Sequence, residues 1–121
     1  MTLLLLLSAL FAQAADELPI QNLETHCWSQ TEENGSFLCQ NLLLLGKING
    51  IYVYPELAAN ADEKKTWAQA DLACAELGFR YSTGFELDQT KKETLFLRLD
   101  DAGPAMAWRG EGPYIRHLLC Q

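Results

Sequence analysis

Four cysteines, Cys27, Cys39, Cys74 and Cys120, constrain this 121-residue chain more than any other feature. An even count in a chain this short reads as a disulfide framework if the compartment is oxidising. Four cysteines permit three pairings. The favoured one is Cys27–Cys39 with Cys74–Cys120, one local bond and one long-range bond that ties the main helix to the C-terminus. On the chain-entropy model the long-range bond contributes about 4 kcal/mol. A zinc site is disfavoured, because no two cysteines stand two to four positions apart and His26 and His117 each lie near only one of them. No metal and no cofactor is expected.

The compartment is read from the first fifteen residues. An apolar run from Leu3 to Phe11 precedes Ala12-Gln13-Ala14, a small-x-small pattern that a signal peptidase accepts. The run is too short to cross a hydrocarbon core of roughly 30 Å. No Lys or Arg precedes it, so the usual basic start is missing, and a buried N-terminal helix is the alternative. The expectation is a signal peptide over 1–15 and a single domain over 16–121, secreted or periplasmic, with no membrane insertion after cleavage. About a hundred residues suffice for one domain with a modest core.

Net charge is −7, from 16 acidic and 9 basic residues. Such a surface repels phosphate backbones, so no nucleic-acid partner is expected. The acidity reads first as a solubility device.

Trp67, Ala70, Cys74 and Leu77 recur at helical spacing and predict a helix over 62–77, with Asn60 and Glu63 as a capping box and Gly78 as C-terminal cap. Gly50–Tyr54 reads as a strand ended by Pro55, with Ile51 and Val53 on one face and Tyr52 and Tyr54 on the other. Thr94–Leu99 and Tyr114–Leu119 read as further strands, separated by a turn over Arg109–Pro113. Cys27–Leu45 is ambiguous. Asn34-Gly35 signals a hairpin, whereas Ser36 and Gly46 bracket a possible helix over 37–45, which is the favoured reading. The expected fold is α+β, a small disulfide-stabilised domain with one main helix packed on a short antiparallel sheet.

Catalytic signatures are scarce. There is no Gly-x-Ser-x-Gly elbow, His-Glu-x-x-His pair or glycine-rich phosphate loop. The adjacent pairs Glu32-Glu33 and Asp100-Asp101 point apart on a strand or loop and read as solvated charges. A carboxylate-dependent hydrolase using Glu86, Asp100 or Glu111 is the enzymatic alternative, since hydrolysis of a glycoside needs two carboxyls facing one cleft. Asn34-Gly35-Ser36 matches a glycosylation acceptor. The stretch Trp108–Tyr114 is the candidate contact surface: Trp108, Arg109, Glu111 and Tyr114 include the residue types enriched at binding hot spots, and a glycine-proline loop presents them. The competing reading packs Trp108 and Tyr114 on the helix.

The segment Trp67-Ala68-Gln69-Ala70-Asp71-Leu72-Ala73-Cys74-Ala75-Glu76-Leu77-Gly78 resembles the first helix of C-type-lectin-like domains, with the spacing Trp-x-x-Ala-x-x-x-Cys-x-x-x-Gly. The resemblance implies a bond from Cys74 to Cys120. The Glu-Pro-Asn and Trp-Asn-Asp calcium motifs of sugar-binding members are absent. Ala70–Phe79 followed by Leu97-Arg-Leu-Asp-Asp101 also resembles a scavenger receptor cysteine-rich domain. Both resemblances imply a disulfide-bonded recognition module. The functional expectation is an exported, non-catalytic binding module for a protein or surface glycan, with the hydrolase, an enzyme inhibitor or an envelope structural protein as alternatives.

Overall fold

A computed structural model describes residues 17–121; the apolar leader read as a signal peptide over 1–15 lies outside them. The elements run β1 (Leu18–Pro19), β2 (Gln21–Glu33), β3 (Ser36–Ile48), β4 (Ile51–Val53), β5 (Glu56–Leu57), α1 (Glu63–Glu76), β6 (Ser82–Gln89), β7 (Thr94–Arg98), β8 (Met106–Gly110) and β9 (Pro113–Cys120). Among the described residues sheet dominates, at 57% strand against 13% helix, so the helix is an accessory to the sheets.

The segment favoured as a helix over 37–45 is instead β3, half of a hairpin with two 13-residue strands. Two Asn-Gly turns decide this. Asn34 and Gly35 adopt φ 50° and 80°, and Asn49 and Gly50 adopt 51° and 80°, the doubly positive pattern that matches the twist of flanking antiparallel strands. β3 therefore enters from one tight turn and leaves through another, and β4 folds back on its end by pairing Ile48 with Ile51 and Lys47 with Tyr52. Gly46, read as a helix stop, lies within β3. A Cβ there would sit 2.6 Å from the Ile20 side chain and 3.1 Å from the Gln21 carbonyl oxygen.

The sheet system is larger than the short antiparallel sheet expected. One sheet has the order β1-β8-β7-β5, the other β2-β3-β9-β6 with β4 on β3. All pairs are antiparallel except β5 and β7, which run parallel through Glu56↔Phe96 and Leu57↔Leu97; the chain between them contains α1, the crossover such pairing requires. The sheets meet where the Ala58 N–H donates to the Leu97 carbonyl (3.0 Å) and the Ala59 N–H to the Pro113 carbonyl (3.0 Å). The core between them holds Leu42, Leu44, Leu57, Leu97, Ile115 and Leu118.

Helix α1 is capped two positions beyond the expected Asn60. Asp62 is the N-cap, accepting the Lys64 N–H at 3.0 Å, while Asn60 accepts the Asp62 N–H at 2.8 Å. Glu63 therefore lies in the first turn and does not complete a capping box with Asn60. At the other end Gly78 takes φ 95°, the Phe79 N–H donates to the Cys74 carbonyl (2.9 Å) and the Gly78 N–H to that of Ala75 (3.0 Å). This is the Schellman arrangement that a C-terminal glycine permits. The buried face is Thr66, Ala70, Ala73 and Cys74; Trp67 and Leu77 flank it, with Trp67 edge-on to Phe85 at 4.7 Å.

All four cysteines are paired, Cys27 with Cys39 and Cys74 with Cys120, at Cα–Cα distances of 5.3 Å and 5.6 Å. Two intramolecular disulfides fit an oxidising, extracytoplasmic environment. Among the described residues no helix is long and apolar enough to cross a membrane.

Candidate functional site

The candidate site is a cleft opened where two strands part. β3 follows β9 only from Phe37 to Cys39, then turns away to pair with β4. Asn41 makes the departure: it adopts φ 51°, a left-handed conformation that asparagine tolerates better than most residues. Its neighbourhood replaces the lost ladder with side chains. The Asn41 N–H donates to His117 Nδ1 at 3.0 Å, and the Asn41 carboxamide oxygen accepts Arg116 Nε at 3.0 Å. With Nδ1 accepting, the neutral His117 ring carries its proton on Nε2, which lies 3.8 Å from Glu86.

The gap beside β9 is a cavity of about 310 Å³ walled by Asn41, Leu43, Glu56, Asp88, Tyr114 and Arg116. Each arrives for a structural reason. Asp88 is the cross-strand partner of Tyr114, and Arg116 follows two positions on, on the same face of β9. Glu56 comes from the short strand wedged between the sheets. Arg116 Nη1 lies 3.1 Å from Asp88 Oδ2, and the Tyr114 hydroxyl donates to the same oxygen at 3.4 Å. Glu56, Asp88 and Tyr114 also line a wider hollow of about 530 Å³ with Thr90, Lys91 and Lys92.

These surroundings drive the two carboxyls apart. Burial pushes Glu56 above its ordinary value, and the negative Asp88 pushes further. The Gln89 N–H holds Asp88 below its ordinary value against partial desolvation, aided by Arg116 and Tyr114. Burial raises Tyr114, as do the charges of Asp88 and Glu56. One acid is thus biased to hold a proton and the other to stay ionised, a division used in acid–base sites. The cleft also presents phenol, carboxamide, guanidinium and carboxylate groups, a mixed donor and acceptor set suited to a hydroxyl-rich ligand.

Beside the cleft runs an exposed apolar face. On β2 and β3, His26 stands opposite Leu43 and Glu24 opposite Leu45, with core-facing Leu42 and Leu44 alternating between them. The same outer face carries Trp28, two positions from His26, and Tyr52, opposite Lys47. Tyr54 follows two positions beyond Tyr52. Trp28, Leu43, Tyr52 and Tyr54 are 67%, 50%, 61% and 74% exposed, so the described residues leave them largely open. Lys47 Nζ lies 4.6 Å from the Tyr52 ring centre. Leu43 joins face to cleft by belonging to both.

The residues singled out in the sequence are divided. Tyr114 is in the cleft. Trp108 lies on β8, half-buried, its ring 6.0 Å from that of Phe96, and shares a separate hollow of about 190 Å³ with Glu111 and Pro113. Arg109 is exposed on β8 opposite Leu95. Glu86 lines a groove of about 330 Å³ with Gln40 and His117, so Glu86, Asp100 and Glu111 share no cavity. Among the described residues no three His, Cys, Asp or Glu side chains gather as a metal site.

No protein family, curated protein or solved structure matches this chain. The C-type-lectin-like and scavenger receptor cysteine-rich resemblances therefore rest on their own residues alone.

Proposed function

We propose that this protein is an exported, non-catalytic recognition module, secreted or periplasmic, that binds a surface glycan along the outer face of β2–β4 and into the Asn41–Arg116 cleft. The observation that carries the reading is the exposed face of Trp28, Leu43, Tyr52 and Tyr54 running into a cleft of directional polar groups. Exposed contiguous apolar surface marks an interaction site. Aromatic rings offer an apolar body for the faces of sugar rings, while Tyr and Trp keep a polar handle for hydroxyls. Asn41, Asp88, Tyr114 and Arg116 supply the hydrogen bonds that fix orientation. Of the four residues read as contacts in the sequence, Tyr114 belongs to this proposed site; Trp108 and Glu111 share a separate hollow, and Arg109 is exposed on β8 outside both.

The test is titration of envelope polysaccharide fragments into wild type, Trp28→Ala and Tyr54→Ala. Binding lost in both variants, with unchanged thermal unfolding, supports the reading; equal affinity for all three proteins rejects it.

The Glu56–Asp88 division favours a second reading, glycan hydrolysis with Glu56 as the proton donor. Shortening of the polysaccharide by wild type, absent in Glu56→Gln, would establish that reading in place of the first. Asp88 is already held by Gln89, Tyr114 and Arg116, which suits it to remain ionised and makes it a poor base.

A further inference from the structure

Strand β2 ends its sheet. In the order β2-β3-β9-β6 its only strand partner among the described residues is β3, so the other side of a 13-residue strand leaves backbone N–H and C=O groups without strand partners among them. Such edges template pairing with another chain, and proteins blunt them with lysine, proline, bulges or short length. β2 uses few of these devices. Between Gln21 and Glu33 there is no Lys, Arg or Pro, and the only register shift lies at its start, between Gln21 and Glu24. From Glu24 to Glu33 the edge is regular.

The charges on that edge are all of one sign. Glu24, Glu32 and Glu33 are exposed along it, in a chain whose net charge is −7. Two copies pairing edge to edge would bring these carboxylates together, and like charges across a strand pair are destabilising. The same carboxylates attract a strand that carries lysine or arginine. The edge is thus poor at self-association and open to a partner of opposite charge.

We infer that β2 docks an extended, lysine- or arginine-rich polypeptide segment by strand addition, with the backbone supplying affinity and Glu24, Glu32 and Glu33 supplying charge selection. Strand addition onto an exposed edge is an established recognition mode in which main-chain hydrogen bonds bind and side chains select. Glu24 and Glu32 share a face of β2 with His26 and Trp28, so a peptide docked on this edge borders the outer face of β2–β4.

The test uses a fluorescein-labelled peptide of alternating lysine with threonine or valine, followed by anisotropy on the full exported chain. Three comparisons decide it. Replacing the lysines with glutamates should abolish binding. The Glu24→Lys/Glu32→Lys/Glu33→Lys protein should bind the lysine peptide at least about tenfold more weakly. N-methylating alternate residues, which removes the amides along one peptide edge and keeps its charge, should also cost at least about tenfold. Equal binding of the N-methylated peptide would reduce the effect to charge attraction and overturn strand addition. Sedimentation showing a dimer whose β2 amides are protected from exchange would also overturn it, by giving the edge to a second copy. Circular dichroism of the triple variant excludes unfolding, and the glutamate and N-methyl peptides test the inference on wild type alone.

Discussion

Asp88 and Arg116, on the neighbouring strands β6 and β9, are joined at 3.1 Å. Arg116 also donates to Asn41 on β3, so one guanidinium spans the point where three strands meet and two of them part. Both side chains of the ion pair remain 40–50% exposed, Arg116 at 48% and Asp88 at 42%, and pairs so wetted contribute little to folding. Their structural effect is to hold the cleft wall in place beside Glu56.

Glu56 makes stability pH-dependent in an unusual direction. An acid whose folded pKa lies above its unfolded value binds more protons when folded, so stability falls as pH rises through the interval between them. For Glu56 that interval begins near its ordinary value of 4.5 and extends upward. Asp88 runs the other way: its contribution is present above the ordinary 3.8 and is lost as pH falls through its lowered value. Glu56→Gln should therefore raise the melting temperature relative to wild type more at pH 8 than at pH 4. A difference that does not change across this range would mean that Glu56 is not burdened by its surroundings.

Gln69 acts as a short extra strand for the end of β7. Its amide nitrogen donates to the Leu99 carbonyl at 2.8 Å and its amide oxygen accepts the Leu99 N–H at 2.9 Å. Gln69→Leu keeps the bulk and strands both backbone groups, which costs about 1–3 kcal/mol for each group left unsatisfied and shielded from water. Urea unfolding should show a loss in that range, and Gln69→Glu should recover little, because a carboxylate accepts the N–H but cannot donate to the carbonyl.

Helix α1 and strands β4, β7 and β9 were legible in the sequence, because each rests on local signals. Ala70 and Cys74 lie on the buried helix face, and Gly78 closes the helix as its position suggests. The β2–β3 hairpin was harder. Buried Cys39, Leu42 and Leu44 step by three and then by two, because Asn41 turns left-handed between them. That break in strand alternation, beside four leucines, imitates helical spacing. The Asn49-Gly50 turn carries the same hairpin signal as Asn34-Gly35 and argues for strands on both sides of it. The cleft was not legible. Glu56, Asp88 and Arg116 lie far apart along the chain, and no local spacing announces that the β3–β9 divergence brings them together. Trp28 carried no local signal either; its exposure follows from the outer face of β2 and β3 being left open.

Ile20 occupies the space a side chain at Gly46 would need. Ile20 is buried, at 5% exposure, and its N–H donates to the Ala105 carbonyl at 2.9 Å, so it cannot easily withdraw. Gly46→Ala should cost about 1–3 kcal/mol, the usual range for overpacking. Ile20→Ala alone should cost about 2–5 kcal/mol through the cavity it leaves. The double variant should be less destabilised than the sum of the two, since the new methyl enters the space the isoleucine vacates. Simple additivity in chemical unfolding would mean that the two residues do not share this space.

The two disulfides close loops of different length, with sequence separations of 12 for Cys27–Cys39 and 46 for Cys74–Cys120. On the chain-entropy model their loss costs about 3 and about 4 kcal/mol. The gap should widen in practice for a packing reason. Cys74 and Cys120 are both fully buried and fasten α1 to β9, whereas Cys27 is only half-buried and its bond joins strands already hydrogen-bonded to each other. Cys74→Ala/Cys120→Ala should lose the greater stability and loosen the helix, seen as faster amide exchange at Ala73 and Cys74→Ala. Cys27→Ala/Cys39→Ala should keep α1 protected and raise exchange along β2, including Trp28. Equal loss of helix protection in both variants would show that the domain unfolds as one unit and that neither bond acts locally.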